Sequence, residues 1–398
     1  MKSICMYFQV HQPRRLRWFW PESEPGYFND AANKEIFIKV ARHCYWPATE
    51  TVLSLIKRYK DRFRVTYSLS GTFLDQCKEY QPGLIDLFNM LADTGCVEFL
   101  DETYYHSLSS LFEDRSEFVE QVKMHREAMY DLFGYRPSSF RNTELIYSNG
   151  IAKEADRMGY RAILVEGIES IRGLKSPNYI YQAHDSDIRV LPRNYSLSDD
   201  ISFRFSSREW DQYPLTADKW SKWAAGSRGD TMNIFMDYET FGEHQWEETG
   251  IFWFLKALPG EAFKRGMSFA TVTETAKKFK PKSSIDVPDK RPVSWADLER
   301  DTSAWMGNDM QRRCFREAML LGPYVKKTGD SELIRAWRNL LTSDHIYYIC
   351  TKWLADGDVH SYFSHHSSPF DAGVNYAAVL YDFKSRVFNK LRSSGAKA

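Results

Sequence analysis

The chain has no apolar stretch of the length that a bilayer-spanning helix needs. It also has no surplus of charge, with 53 basic and 53 acidic side chains among 398 residues. A net charge of zero gives no electrostatic basis for nucleic acid or an anionic membrane as partner. Cys-x-x-Cys pairs are missing. The six cysteines (Cys5, Cys44, Cys77, Cys96, Cys314, Cys350) are scattered, the pattern of reduced thiols in a large intracellular protein. No Gly-x-Gly-x-x-Gly or Gly-Lys-Ser/Thr loop follows a predicted strand, so nucleotide binding has no support. His-Glu-x-x-His and spaced Cys/His sets are absent as well. Asp356, Asp358, His360, His365 and His366 crowd into one stretch. That composition suits a divalent ion, but a solvated loop is the expected state, and no metal or cofactor is expected. The N-terminal run Ile4–Val10 leads into His11-Gln12-Pro13 rather than a small-residue cleavage site. It reads as a first strand and not a signal peptide, which points to the cytoplasm.

What the chain does have is aromatic surface, with 12 Trp and 23 Tyr. Such rings suit stacking on sugars, although a large aromatic core is the expected destination of most. Short apolar runs alternate with amphipathic segments through the first two-thirds. Strands are predicted at 4–10, 64–69, 96–100, 139–142, 162–165, 188–191, 201–205, 231–236 and 267–269. Helices are predicted over 82–91 and 116–133, and a capping box at Thr271–Glu274 opens another. This alternation predicts a parallel α/β barrel over residues 1–280. A polar, Pro-containing stretch over 281–293 reads as a linker. Long helical patterns over 294–398 predict a C-terminal helical bundle.

In a parallel barrel, functional residues sit at the C-terminal strand ends. His11, Glu98, Glu144 and Asp237 occupy such positions in the predicted strands. Two carboxylates are what glycosidic bond cleavage needs. Glu144 follows Arg141 and Asn142, and a nearby Arg favours the ionised form a nucleophile requires. Asp237 ends the most apolar strand, where burial raises an acid's pKa. A structural ion-pair network is the alternative reading of this pair. His11 fits either a sugar contact or a satisfied core histidine. His106 closes Thr103-Tyr104-Tyr105-His106, just beyond Glu98. Asp344-His345 interrupts an apolar helix; a surface turn is the alternative there.

Five segments occur together: His11-Gln12-Pro13, Gly95-Cys96-Val97-Glu98, Arg141-Asn142-Thr143-Glu144, Asp237-Tyr238-Glu239-Thr240-Phe241-Gly242 and Thr342-Ser343-Asp344-His345. In this order they resemble the five short regions of glycoside hydrolase family 57, the α-amylase-type family distinct from the main amylase family. The resemblance covers nearly the whole chain. It implies an incomplete (β/α)7 barrel whose site is completed by the helical bundle. It further implies a retaining mechanism on α-glucans, with Glu144 as nucleophile and Asp237 as general acid/base. His11, Glu98, Glu239 and Asp344 would hold the sugar. His106 and Arg141 join the expected substrate-binding set, and Trp246 and Trp305 are the expected sugar platforms. The short form of the chain looks most like the α-amylase branch. A 4-α-glucanotransferase, a branching-type transglycosylase and a catalytically silent α-glucan-binding protein are the alternatives. A carbohydrate deacetylase on a similar barrel would need a metal-binding Asp/His set, and the sequence offers no convincing one.

Overall fold

The computed structural model describes residues 2–20, 26–352 and 364–393. The framework is a ring of parallel strands. β1 (Ser3–Val10), β2 (Val65–Leu69), β3 (Val97–Phe99), β4 (Ser139–Phe140) and β5 (Ala162–Glu166) follow in chain order. β6 (Tyr181–Ala183) forms an antiparallel hairpin with β7 (Arg189–Arg193), and β8 (Thr231–Asp237) completes the ring. Two short strands, β9 (Ser268–Phe269) and β10 (Ser284–Ile285), add to β1 and β6.

β1 pairs in parallel with both β2 and β8, β2 with β3, β4 with β5, and β5 with β7. The Asp101–Phe140 bridge carries the ring from β3 to β4. Between β7 and β8 the closure is partial: the Asn194 N–H donates to the Asn233 carbonyl at 2.8 Å, and Arg193 Nε donates to the Phe235 carbonyl at 2.8 Å. The architecture is thus an incomplete (β/α)7 barrel followed by a C-terminal helical region.

Successive side chains on a strand point to opposite faces. Cys5, Tyr7, Leu164, Leu191 and Phe235 fill the barrel interior together with Val272 and Ala276. The last two belong to the helix Val272–Lys278, opened by the predicted capping box at Thr271, which plugs the barrel base. Above this apolar layer the inward positions turn polar, with Gln9 on β1, Ser68 on β2, Glu166 on β5, Arg193 on β7 and Asp237 on β8. Buried polar groups need partners. A layer of them at the C-terminal strand ends is therefore a site rather than a core.

Some predicted elements differ. Residues 201–205 are not a strand. Ile201 and Ser202 end the helix Tyr195–Ser202, which Asn194 caps by accepting from Leu197 N–H, and that cap overrides the apolar alternation. The 281–293 stretch does not hang free. Ile285 pairs with Ala183, and Val293 exchanges backbone hydrogen bonds with Tyr147 at 2.9 and 3.0 Å. The C-terminal helices include Asp309–Lys327, Ser331–Leu340 and Pro369–Ser393.

Candidate active site

Glu144 sits just beyond β4 in a one-turn segment, Thr143–Leu145, with left-handed backbone (φ 57°). Its Oε1 accepts from Ser343 Oγ at 3.0 Å and lies 3.4 Å from His106 Nε2. Its Oε2 accepts from the Trp295 indole at 2.9 Å. His106 Nδ1 is 2.6 Å from Glu102 Oε2, and Gln9 Nε2 and Ser68 Oγ both donate to Glu102 Oε1. The His11 and His106 rings stack at 4.0 Å. His11 reaches Ser70 Oγ through Nδ1 (2.8 Å) and Asp344 Oδ2 through Nε2 (3.0 Å). These contacts draw together the ends of β1, β2 and β4, the loop after β3, and the helical region.

The helical region is docked by backbone as well as side chains. Ser343 N–H donates to the His106 carbonyl (3.0 Å) and Thr342 Oγ to the Tyr105 carbonyl (3.0 Å). These bonds set Asp344 over His11.

The carboxyls are displaced in opposite directions. Burial pulls Glu144 upward, but the hydrogen bond and charge of His106, then Arg141, hold it below the usual carboxylate range. Asp237 goes the other way. Burial, and then the negative charge of Glu144, push it up to about 6 against Arg141, His106 and Arg193. Glu239 is pushed up to about 8 by burial and the Asp237 charge, and it accepts from Tyr45 Oη at 2.5 Å. Asp344 is held low: burial opposes ionisation, and the charge and hydrogen bond of His11 overcome it. Arg141 is wholly buried, its guanidinium donates no hydrogen bond to any of the described residues, and its charge centre lies 4.7 Å from the Trp295 ring.

The strap over 293–301 carries Trp295 to this point. Ser294 Oγ donates to the Glu144 carbonyl at 2.7 Å. Arg300 then anchors the strap to the barrel wall, with Glu166 at 2.8 Å and Asp199 at 3.0 Å. Arg193 pairs with the same two carboxylates. Two cations facing two buried anions leave no charge alone, the condition under which buried ion pairs are tolerated.

The model of Glycosyl hydrolase family 57 matches residues 5–288. The chain belongs to glycosyl hydrolase family 57. It is 46% identical over 408 residues to a Methanocaldococcus jannaschii protein named "Putative alpha-amylase", covering 98% of this chain and 86% of that one. Two solved structures show the shared fold. A branching enzyme from Pyrococcus horikoshii superposes with a TM-score of 0.68 at 14% identity, covering 98% of this chain and 91% of that one. A 4-alpha-glucanotransferase from Thermococcus litoralis gives 0.58 at 17% identity, covering 94% of this chain but 55% of that longer one.

In this family-57 chain, His11, His106, Arg141, Glu144, Asp237, Glu239 and Asp344 form one cluster linked by contacts and by mutual electrostatic influence. Glu98 does not join them. It lies one layer lower, opposite Thr66, and accepts from the Thr273 N–H (2.9 Å) and hydroxyl at the start of the base-plugging helix. A carboxylate there satisfies an orphan N–H and complements the helix dipole. Four residues on, Glu102 rises into the pocket, and sequence reasoning missed it. Its available signal was the Glu-x-x-x-His spacing to His106.

Trp305 is fully buried among the C-terminal helices and packs near Tyr347, so it is core and not a sugar platform. Trp246 is 46% exposed on the rim, 5.3 Å from the His43 ring. Trp295 was also missed, because it follows the stretch read as a linker. Of the Asp356–His366 cluster, Asp356, Asp358 and His360 lie outside the described residues. His365 donates to the Leu16 carbonyl at 2.7 Å. No helix among the described residues is long and apolar enough to cross a membrane.

Proposed function

We propose that this protein hydrolyses α-1,4-glucosidic bonds in α-glucans with retention of configuration. Glu144 attacks the anomeric carbon. A bond forms from its carboxylate oxygen to that carbon as the glycosidic C–O bond breaks, and Asp237 gives its proton to the leaving oxygen. Asp237 then takes a proton from an incoming water, which displaces Glu144 and restores both groups. The observation carrying this reading is the opposite displacement of two coupled carboxyls in one pocket: Glu144 favoured as the anion, Asp237 kept protonated to about pH 6. That split is what an acid and a nucleophile sharing one site require. The α-glucan substrate is supported by the amylase name of the 46% identical relative.

Transfer to a sugar hydroxyl instead of water uses the same pair, and the fold is shared with proteins named as a glucanotransferase and a branching enzyme. Product analysis on a defined malto-oligosaccharide separates the two. Shorter products alone, lost in both Glu144→Gln and Asp237→Asn, are expected. Longer products beside shorter ones would move the reaction to transfer. Full activity in Glu144→Gln would overturn the assignment of the nucleophile.

A further inference from the structure

Glu102 takes no part in a two-carboxylate reaction, yet it is heavily engaged. It is fully buried, and each of its oxygens is committed: Oε1 to Gln9 and Ser68 at 2.8 and 2.9 Å, Oε2 to His106 Nδ1 at 2.6 Å. The far nitrogen of that same ring faces Glu144 Oε1 at 3.4 Å. Both ends of this last contact sit on left-handed backbone, His106 at φ 49° and Glu144 at φ 57°. Side-chain-bearing residues rarely adopt that region, and strain of this kind collects where a fold holds functional groups in place. His106 is further fixed by its own N–H to the Thr103 carbonyl, by Ser343 N–H on its carbonyl, and by the His11 ring stacked on its face.

We propose that Glu102 and His106 act as positioning residues, with Glu102 keeping the His106 imidazole protonated so that Nε2–H donates to Glu144 and holds that carboxylate ionised and aimed. The proposal rests on the reading of Glu144 as the nucleophile. No proton leaves His106 in either step of the reaction. Its charge makes the carboxylate a better anion in the free enzyme and a better leaving group from the glycosyl-enzyme.

The surroundings settle the sign. Glu102 faces His106 from its own loop, Glu144 from the end of β4, and His11 from the end of β1, while Arg141 acts on Glu102. Asp344 acts on it from the helical region and Asp237 from β8. Burial favours the neutral ring, but the charge and hydrogen bond of Glu102, then of Glu144, lift His106 to about 9. Glu102 itself falls to about 2: burial opposes its ionisation, and His106, Arg141 and His125 overcome it. His11 is displaced the other way: burial and then the charge on His106 lower it, against the charge of Asp344.

The test is an NMR titration of histidine-labelled, substrate-free protein, with the His106 signals identified by their loss in His106→Asn. The wild-type ring is expected to stay protonated past pH 8 and the ring in Glu102→Gln to be neutral at pH 7. Glu102→Asp, which restores the charge, is expected to restore protonation. In Glu102→Gln the acidic limb of kcat/KM is expected to move up by about one pH unit, since Glu144 loses a charged donor. A merely structural role for Glu102 would lower kcat at every pH and leave the limb in place. A wild-type His106 that is neutral at pH 7 overturns the proposal, even if the variants fail to fold. So does a protonation state unchanged in Glu102→Gln. Because the titration needs no substrate, inactivity on α-glucans would sink the proposed reaction while leaving the result for His106 readable.

Discussion

Trp295 donates its indole N–H to Glu144 Oε2 at 2.9 Å, from a strap just beyond a stretch whose composition reads as a linker. The same ring lies against the buried Arg141 guanidinium. One side chain therefore both orients the carboxylate and covers the cation that favours its ionised form. Trp295→Phe keeps the ring and removes the donor. A hydrogen bond to a charged group contributes roughly 1.5–3 kcal/mol, so kcat is expected to fall about 10- to 100-fold with little change in melting temperature. Steady-state kinetics together with a thermal melt checks this.

Activity is expected to follow a bell in pH. On the proposed mechanism Glu144 has to be ionised, and its lowered pKa keeps the acidic limb below the ordinary glutamate range. Asp237, the proposed acid, has to be protonated, and its raised pKa carries that form up to about 6. The rate therefore falls as pH rises through about 6 in kcat/KM, which reports the free enzyme. Replacing Asp237 by Asn is expected to erase the basic limb along with most of the rate. A basic limb that persists in the residual activity would assign it to another group.

Arg300 locks the strap to the barrel through Glu166 and Asp199. Arg300→Met leaves these two buried anions with Arg193 alone. Removing one partner from such a set costs about 3 kcal/mol or more. Both a lower melting temperature and a lower kcat are expected, since Trp295 loses its anchor. Arg300→Lys is expected to recover little, because an ammonium cannot span two carboxylates as a planar guanidinium does.

The two tryptophans named from the sequence are expected to behave as opposites. Trp305→Ala empties a fully buried site and is expected to cost about 3–5 kcal/mol in chemical denaturation. Trp246→Ala removes a half-exposed rim ring and is expected to leave stability intact. If the rim binds sugar, KM for longer malto-oligosaccharides rises in that variant and KM for short ones does not.

The strands were legible where they are long and apolar, as in β1 and β8, because an unbroken buried run bounded by polar residues has few other destinations. β6 and β10 span three and two residues and carry no such signal. Asp237 and His11 could be placed because each closes or follows a clear strand. Glu98 could not be told from Glu102. Both lie near β3, and the register of the barrel, not local pattern, decides which carboxylate faces the base helix and which faces the pocket. Asp344 stood out as a polar break in an apolar helix. Trp295 did not, since its destination depends on ion pairs made by Arg300 with residues more than a hundred positions earlier in the chain.

The contribution of Ser343 and Asp344 to the pocket also sets an order in time. Synthesis proceeds from the N-terminus, and domains tend to fold as they emerge. Glu144 and Asp237 leave the ribosome well before the segment that supplies the hydroxyl on Glu144 and the carboxylate on His11. A nascent chain that has already closed its barrel thus holds both carboxyls of the proposed reaction in an unfinished site. It is expected to stay silent until its last third arrives, so the growing polypeptide carries no enzyme activity while it is still being made.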